Sequence, residues 1–259
     1  MKNTYPRSQM YVERRGSGPK VVFVHGGEEA GGSVAFSSQF SLAHAFTLIL
    51  PDLPGHGRSP AQGHKNIERD ALLIADLLDD GAHLVGHSYG GAVALRAAAQ
   101  RPEVVHSFTL VEPATFDIAL EDPAVRQMLG ELAQAVAIPD PRQRFEAFAT
   151  VVGIHKTWPD PLSGTYLRLA EDLPHLQPDT LVPSRQLAEQ VAAAGIPSLV
   201  ISGGHRAGFE NLCDIMAGVL GAQRAVISGY GHAPQYSEEP FNTCLERFWL
   251  HLPSHSRPA

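Results

Sequence analysis

Cysteine is scarce: Cys213 and Cys244 are the only two in 259 residues. Two thiols cannot supply the disulfide framework of a small secreted domain, and neither sits in a CxxC or Cys/His spacing that would hold a metal. Both read as reduced core thiols. Long apolar runs are missing as well. No stretch approaches the roughly 18 uninterrupted apolar residues of a membrane span, because even 192–201 is broken by Gly195, Pro197 and Ser198. Nor is there a basic excess: 20 Lys+Arg stand against 27 Asp+Glu, a formal net charge of −7, which leaves no electrostatic footprint for a phosphate backbone. The first ten residues are polar, hold Lys2, Pro6 and Arg7, and lack the apolar stretch of an export signal. There is no internal repeat, heptad pattern or low-complexity tract. These absences predict a soluble, cytoplasmic protein with a small-molecule substrate, no nucleic-acid or membrane partner, and a monomeric or homodimeric state.

What is present is enough for one large α/β domain: 44% of the residues are hydrophobic and 18% charged. Short β-branched runs at 21–24, 47–50, 83–85, 108–111, 199–201 and 225–227 end in turn residues or acids and read as buried parallel strands. Longer segments with apolar residues at helical spacing lie between and after them, at 67–79, 90–101, 184–194, 209–220 and 238–251. This alternation predicts a mostly parallel, doubly wound sheet, with 9–14 as an added antiparallel strand. One region breaks the rhythm. From 114 to 183 there is no strand-like run, proline is frequent, and 123–136 and 142–151 look helical. A long insertion between two strands of such a sheet most often sits over the strands' carboxyl ends, where ligands bind. The expected organisation is a core of 1–113 and 184–259 with a helical lid at 114–183.

The chemistry centres on 83–91, HLVGHSYGG, where G-x-S-x-G stands between an apolar strand and an Ala-rich helix. Flanking glycines let the backbone pass from strand to helix in a tight, strained turn that exposes the Ser88 hydroxyl. Ser88 then stands at a helix N-terminus, where unpaired N–H groups and the dipole favour developing negative charge. At 24–27 the sequence VHGG ends another strand. A loop of that kind can aim a backbone N–H at the carbonyl under attack, so Gly27 and the residue after the serine, Tyr89, are the candidate oxyanion donors. The bland alternative is a plain glycine turn. At 229–232, GYGH follows the last strand, and a loop there can offer His232 as general base. The chain holds 13 histidines, so position carries the choice. His25 and His56 sit in glycine-rich turns and read as structural hydrogen bonders. His87 runs along the turn rather than toward the Ser88 side chain. His251 and His255 have helical ligand spacing but are interrupted by Pro253, so no metal site is expected. Gly26 and His87, with Phe116, Phe148 and Trp158 of the insertion, are candidate substrate contacts. For any one of these aromatics the plainer reading is the inward face of a lid helix. Glu28 and Glu29, just beyond the glycine loop, read as solvated charges.

These residues resemble the α/β-hydrolase superfamily. The match covers nearly the whole chain outside the insertion: His25-Gly26-Gly27, then DLPGHGRS at 52–59, then GHSYGG at 86–91, then Gly231-His232 ahead of a final helix. The resemblance implies an eight-stranded, mostly parallel sheet, a Ser-acid-His triad in that chain order, a helical cap and no organic cofactor. In most members the acid is an aspartate shortly after the strand at 199–201, in a G-x-x-D setting, but here Arg206 occupies that place, and arginine cannot accept the imidazole N–H. Some members, certain haloalkane dehalogenases and a fungal-type lactonase group among them, carry a glutamate at the end of the preceding strand, which is Glu112 here. Glu112 is therefore the candidate acid. Glu210 and Asp214 compete with it, each also explained as a carboxylate near a helix start, and a triad without an acid is the remaining option. Ser88 as nucleophile disfavours a dehalogenase, whose halide displacement needs a carboxylate there. The resulting expectation is a serine esterase or lactonase acting on an apolar or aromatic ester. A carbon–carbon bond hydrolase, a cofactor-free lyase or a non-catalytic binding protein on the same scaffold are the alternatives.

Overall fold

The computed structural model describes residues 10–27, 30–154, 157–162, 164–175 and 183–252. Seven strands form one sheet: β1 (Val12–Arg15), β2 (Lys20–Val24), β3 (Thr47–Pro51), β4 (Ala82–His87), β5 (Val105–Val111), β6 (Ser198–Ser202) and β7 (Gln223–Val226), in the order β1-β3-β2-β4-β5-β6-β7. All neighbours pair in parallel except β1, which runs antiparallel to β3 on the edge. The resemblance implied eight strands, and the described residues contain seven. The expected N-terminal strand is β1, and Gln9 lies outside the described residues.

Alternate side chains of each strand point to opposite faces, and both faces are covered. On one face, Val22, Val24, Leu84, Phe108, Leu110 and Val200 pack beneath four helices: α2 (Ile67–Leu77), α3 (Tyr89–Gln100), α7 (Ser184–Ala193) and α8 (Ala207–Leu220). On the other, Val21, Phe23, Val85, Val111, Leu199 and Ile201 meet the short α1 (Gly32–Ala35) and α9 (Glu239–Leu250), which contributes Phe241, Leu245, Phe248 and Trp249. Cys213 is buried in the first of these cores, and both cysteines are free.

Between β5 and α7 the chain builds helices: α4 (Pro123–Val136), α5 (Pro141–Val152) and α6 (Gly164–Asp172). Local sequence explains where two of them begin. Asp122 and Asp140 are N-caps whose carboxylates accept backbone N–H groups of the first turn, each followed by a proline pre-set for the first helical position. Gly153, at φ 83°, closes α5 in the left-handed conformation. The insertion has a small core of its own in which Phe145, Leu162, Leu169 and Leu173 are buried, with Trp158 and Tyr166 packed on them, and α4 rests on α8. No described helix is long and apolar enough to cross a membrane.

Candidate active site

Two adjacent strand ends supply the first two functional side chains. Ser88 follows β4 at φ 52°, a conformation costly for a non-glycine residue. Its N–H donates to the Val111 carbonyl at 3.0 Å, and its own carbonyl accepts from Gly91 and Ala114, both at 2.9 Å. The flanking glycines are required by contact. A Cβ on Gly86 would lie 2.6 Å from the Gly90 carbonyl oxygen, and one on Gly90 would lie 2.3 Å from the His25 carbonyl oxygen. One strand over, Glu112 follows β5 at φ 44°, with its N–H on the Ile201 carbonyl at 3.0 Å. Each residue thus stands one step beyond its strand, clamped by a last ladder bond to the neighbouring strand.

His232 joins them from the loop after β7. Its Nε2 lies 2.9 Å from Ser88 Oγ and its Nδ1 lies 2.9 Å from Glu112 Oε2. With Nδ1 donating to the carboxylate, Nε2 presents its lone pair to the serine hydroxyl. The second oxygen of Glu112 accepts the Gly203 N–H at 2.6 Å. Glu112 is fully buried, and that desolvation pushes its carboxyl up to about 7, against the pull of the His205 ring and the Gly203 N–H. The His232 ring is seated against Phe209, with centroids 4.6 Å apart.

The competing acids are occupied elsewhere. Glu210 folds back on its own loop, accepting from Ser202 Oγ at 2.7 Å and the Gly204 N–H at 2.9 Å, and pairs with Arg224. Asp214 also pairs with Arg224. Arg206 reaches away from His232 into the helical insertion, where it donates to the Val151 carbonyl at 3.0 Å and pairs with Glu131.

A cavity of about 110 Å³ opens beside Ser88 and His232. Its wall includes Gly27 and Tyr89, and Phe116, Leu132, Phe148, Val152 and Leu169 from the insertion, with Ala114 and Phe209. Because α3 begins at Tyr89, the Tyr89 N–H is among the donors with no intrahelical acceptor. Phe116 and Phe148 therefore reach the cavity, whereas three other expected contacts do not line it. His87 is fully buried and works on the loop behind the site: its Nε2 donates to the His232 carbonyl at 2.8 Å, while Nδ1 accepts from Gln235 at 3.1 Å. Trp158 belongs to the core of the insertion, stacked edge-on against Phe145 and Tyr166. The carbonyl of Gly26 accepts from His25 Nδ1 at 2.7 Å, and His25 Nε2 accepts the Leu53 N–H, which makes His25 a loop brace. Glu28, Glu29 and His255 lie outside the described residues.

Lys65 escaped the sequence reading. Its ammonium sits 4.7 Å from the centroid of the Tyr89 ring and donates to His56 Nε2 at 2.6 Å, and it is the cation of an otherwise apolar wall. Nothing in its local sequence marks it, and Phe209 was legible only as a helix residue. A larger concavity of about 720 Å³ between β7 and α9 is an open groove carrying Arg224, Cys244 and Arg247. Among the described residues no group of three or more His, Cys, Asp and Glu side chains is arranged to hold a metal ion.

The model of the Alpha/beta hydrolase family matches residues 21–243. The chain is similar to Lipase LipV of Mycobacterium tuberculosis, 36% identical over 143 residues, 52% of this chain and 52% of the relative. It is also similar to a pimeloyl-[acyl-carrier protein] methyl ester esterase of Chromobacterium violaceum, 41% identical over 102 residues, 39% of this chain and 40% of the relative. The chain thus spans about half or less of the length of these curated relatives. Among solved structures, an alpha/beta hydrolase from Sphaerobacter thermophilus superposes with a TM-score of 0.65 at 24% identity, covering 93% of this chain and 96% of the other.

Proposed function

Because the chain belongs to the alpha/beta hydrolase family, we propose that it is a serine hydrolase cleaving a carboxylic ester or lactone of a small apolar molecule. The observation that carries the reading is the unbroken pair of 2.9 Å contacts from Ser88 Oγ through the His232 ring to Glu112 Oε2. Ser88 Oγ attacks the carbonyl carbon as its proton passes to His232 Nε2. Glu112 holds the imidazole in the required tautomer and stabilises the imidazolium. The negative charge that develops on the carbonyl oxygen is taken up by the N–H groups of Gly27 and Tyr89. The leaving alkoxide collects the proton from His232. Water, deprotonated in turn by His232, attacks the acyl carbon, and Ser88 Oγ departs as it takes that proton back from His232, releasing the carboxylic acid.

The helices between β5 and α7 act as a cap that supplies the apolar wall of the acyl site. At about 110 Å³ the cavity is well below the roughly 300–1,000 Å³ of drug-sized sites, which favours acyl groups of a few carbons. The relatives named as a lipase and a methyl ester esterase support ester hydrolysis in general.

The test is turnover of p-nitrophenyl acetate, butyrate and octanoate together with fluorophosphonate labelling. The wild type is expected to label and to prefer the two short esters, and Ser88→Ala to do neither. A wild type that neither labels nor turns over would sink the reading. A ring-cleavage diketone assay and thermal shifts with small apolar ligands would then separate carbon–carbon bond chemistry from a binding role.

A further inference from the structure

We infer that His87 is a positioning residue for His232: from the place in the chain next to the nucleophile it grips the backbone of the base, and so fixes the imidazole at bonding distance from Ser88 Oγ. The kinetic consequence rests on the ester-hydrolase reading; the placement of the imidazole does not.

Two neighbouring residues reach the same third one. Ser88 Oγ meets the His232 ring at Nε2, 2.9 Å away, and His87 Nε2 donates to the His232 carbonyl at 2.8 Å. One peptide link therefore joins the group that attacks to the group that holds its base. The base needs such a hold, since residues 227–233 form neither helix nor strand and Tyr230 among them is 47% exposed. The bond from the His232 N–H, to the Gly153 carbonyl of the helical insertion, is long at 3.4 Å.

The atoms of His87 match this task. A carbonyl only accepts, so Nε2 carries the hydrogen, and the Gln235 amide nitrogen only donates, so Nδ1 carries the lone pair that meets it at 3.1 Å. Those two bonds set both the tautomer and the orientation of the ring. Gln235 is held in turn. Its backbone carbonyl accepts from Gln39 Nε2 at 2.8 Å, the same nitrogen donates to Asn242 Oδ1 at 3.0 Å, and Asn242 Nδ2 donates to the Ser38 carbonyl at 2.9 Å. His87, Gln39 and Gln235 are fully buried. A polar side chain costs free energy in such a place unless its bonds are made, and packing alone would be met by an apolar side chain of similar size. The bonds run from α9, which carries Asn242, to the back of His232, so the base is referenced to the core of the fold on a side away from the helical insertion.

The test compares His87→Leu, which fills the space without a donor, with His87→Gln, whose amide can both donate to the His232 carbonyl and accept from Gln235. Rates for a short-chain ester are expressed per site titrated to completion by a fluorophosphonate, so that unfolded protein does not count. Expected in His87→Leu is a fall in kcat of about 10²-fold with little change in KM, the scale of a misplacement of about 1 Å, and recovery of most of that loss in His87→Gln. Should His87→Leu not fold, His87→Asn, one methylene shorter than Gln, takes its place. Gln235→Leu is expected to lose less, and the double variant no more than His87→Leu alone, because both act through one bond to His232. An unchanged kcat per site, a loss that sits in KM, no recovery in His87→Gln, or losses that multiply in the double variant would overturn the inference. A second arm needs no substrate. In protein labelled with ¹⁵N-histidine, the Nδ1–H of His232, identified by its loss in His232→Gln, is expected to be protected from exchange with water in the wild type and in His87→Gln, and to lose that protection in His87→Leu. A signal indifferent to His87→Leu would also overturn the inference. Failure of the ester-hydrolase reading is distinguishable, since it removes wild-type labelling and turnover and leaves this signal in place.

Discussion

The ends of β5 and β6 lie side by side in the sheet, yet they meet the His232 loop in opposite ways. β5 ends in a fully buried, backbone-strained glutamate whose carboxylate receives the imidazole. The loop after β6 brings no carboxylate to that ring. It offers a backbone N–H from Gly203 to Glu112, packs His205 beside the same carboxylate, and sends Arg206 into the helical insertion. The difference shows that reach to the imidazole, and not rank along the chain, decides where an acid can stand. Shifting it one strand over costs about 1–3 kcal/mol for the left-handed residue, plus the burial of a charge. The neighbouring loop offsets part of this with a donor and a second ring.

The comparison breaks most directly if the two strand ends are disabled separately. Glu112→Gln is expected to lower kcat for a short-chain ester by about 10³–10⁴-fold, as loss of the orienting acid does in such triads. Glu210→Gln is expected to change kcat by less than about threefold and to act on stability instead, because it loosens the bonds to Ser202, Gly204 and Arg224. Steady-state kinetics of the two variants side by side would invert the comparison if Glu210→Gln proved the more damaging.

A second effect sharpens it through stability. Burial raises the Glu112 carboxyl from its ordinary 4.5 to about 7 in the folded chain. Between those values the native state holds a proton that the unfolded state has released, so stability falls as pH rises through that window, by on the order of 3 kcal/mol, and is flat above it. Glu112→Gln removes the dependence. Urea unfolding should therefore show the variant gaining on the wild type at pH 8 relative to pH 4.5. A gap that does not change with pH would mean the native carboxylate is compensated more fully than burial alone allows.

The smallest effect belongs to the β6 side. Arg206 and Glu131 are both partly exposed, so solvent and salt screen the pair. Glu131→Gln should lower stability only slightly, with the deficit shrinking in high salt. Arg206→Met, which also gives up the bond to Val151, should cost about 1 kcal/mol more and raise KM with little change in kcat. Activity assays at two salt concentrations check both.

Much of this was legible in the sequence for identifiable reasons. Parallel strands buried on both faces read as continuous apolar runs, so β2 to β6 could be placed, whereas the edge strand β7, with the sequence QRAV and no buried residue, was legible only in its second half. Gly86 and Gly90 are required because other backbone comes within contact distance of where a Cβ would be, and such a constraint writes itself into the sequence. Asp122 and Asp140 marked helix starts by local capping. Side-chain direction was not legible. His87 adjoins Ser88 in the chain and Trp158 lies in the insertion that walls the cavity, but both turn into other neighbourhoods, and Lys65 and Phe209 reach the cavity from segments with no distinguishing pattern.

The sequence by itself determined the alternating strands and helices, the strained turn at Ser88 and the helical character of the insertion, because each depends on interactions within a few residues. Only the tertiary structure decided that Glu112 and not Glu210 meets His232, that Arg206 holds the insertion, and that His205 lies against the acid. Those contacts join residues such as Ser88 and His232, 144 apart, and Glu112 and His232, 120 apart. Their geometry comes from the sheet's order and register, which set one strand end beside the next.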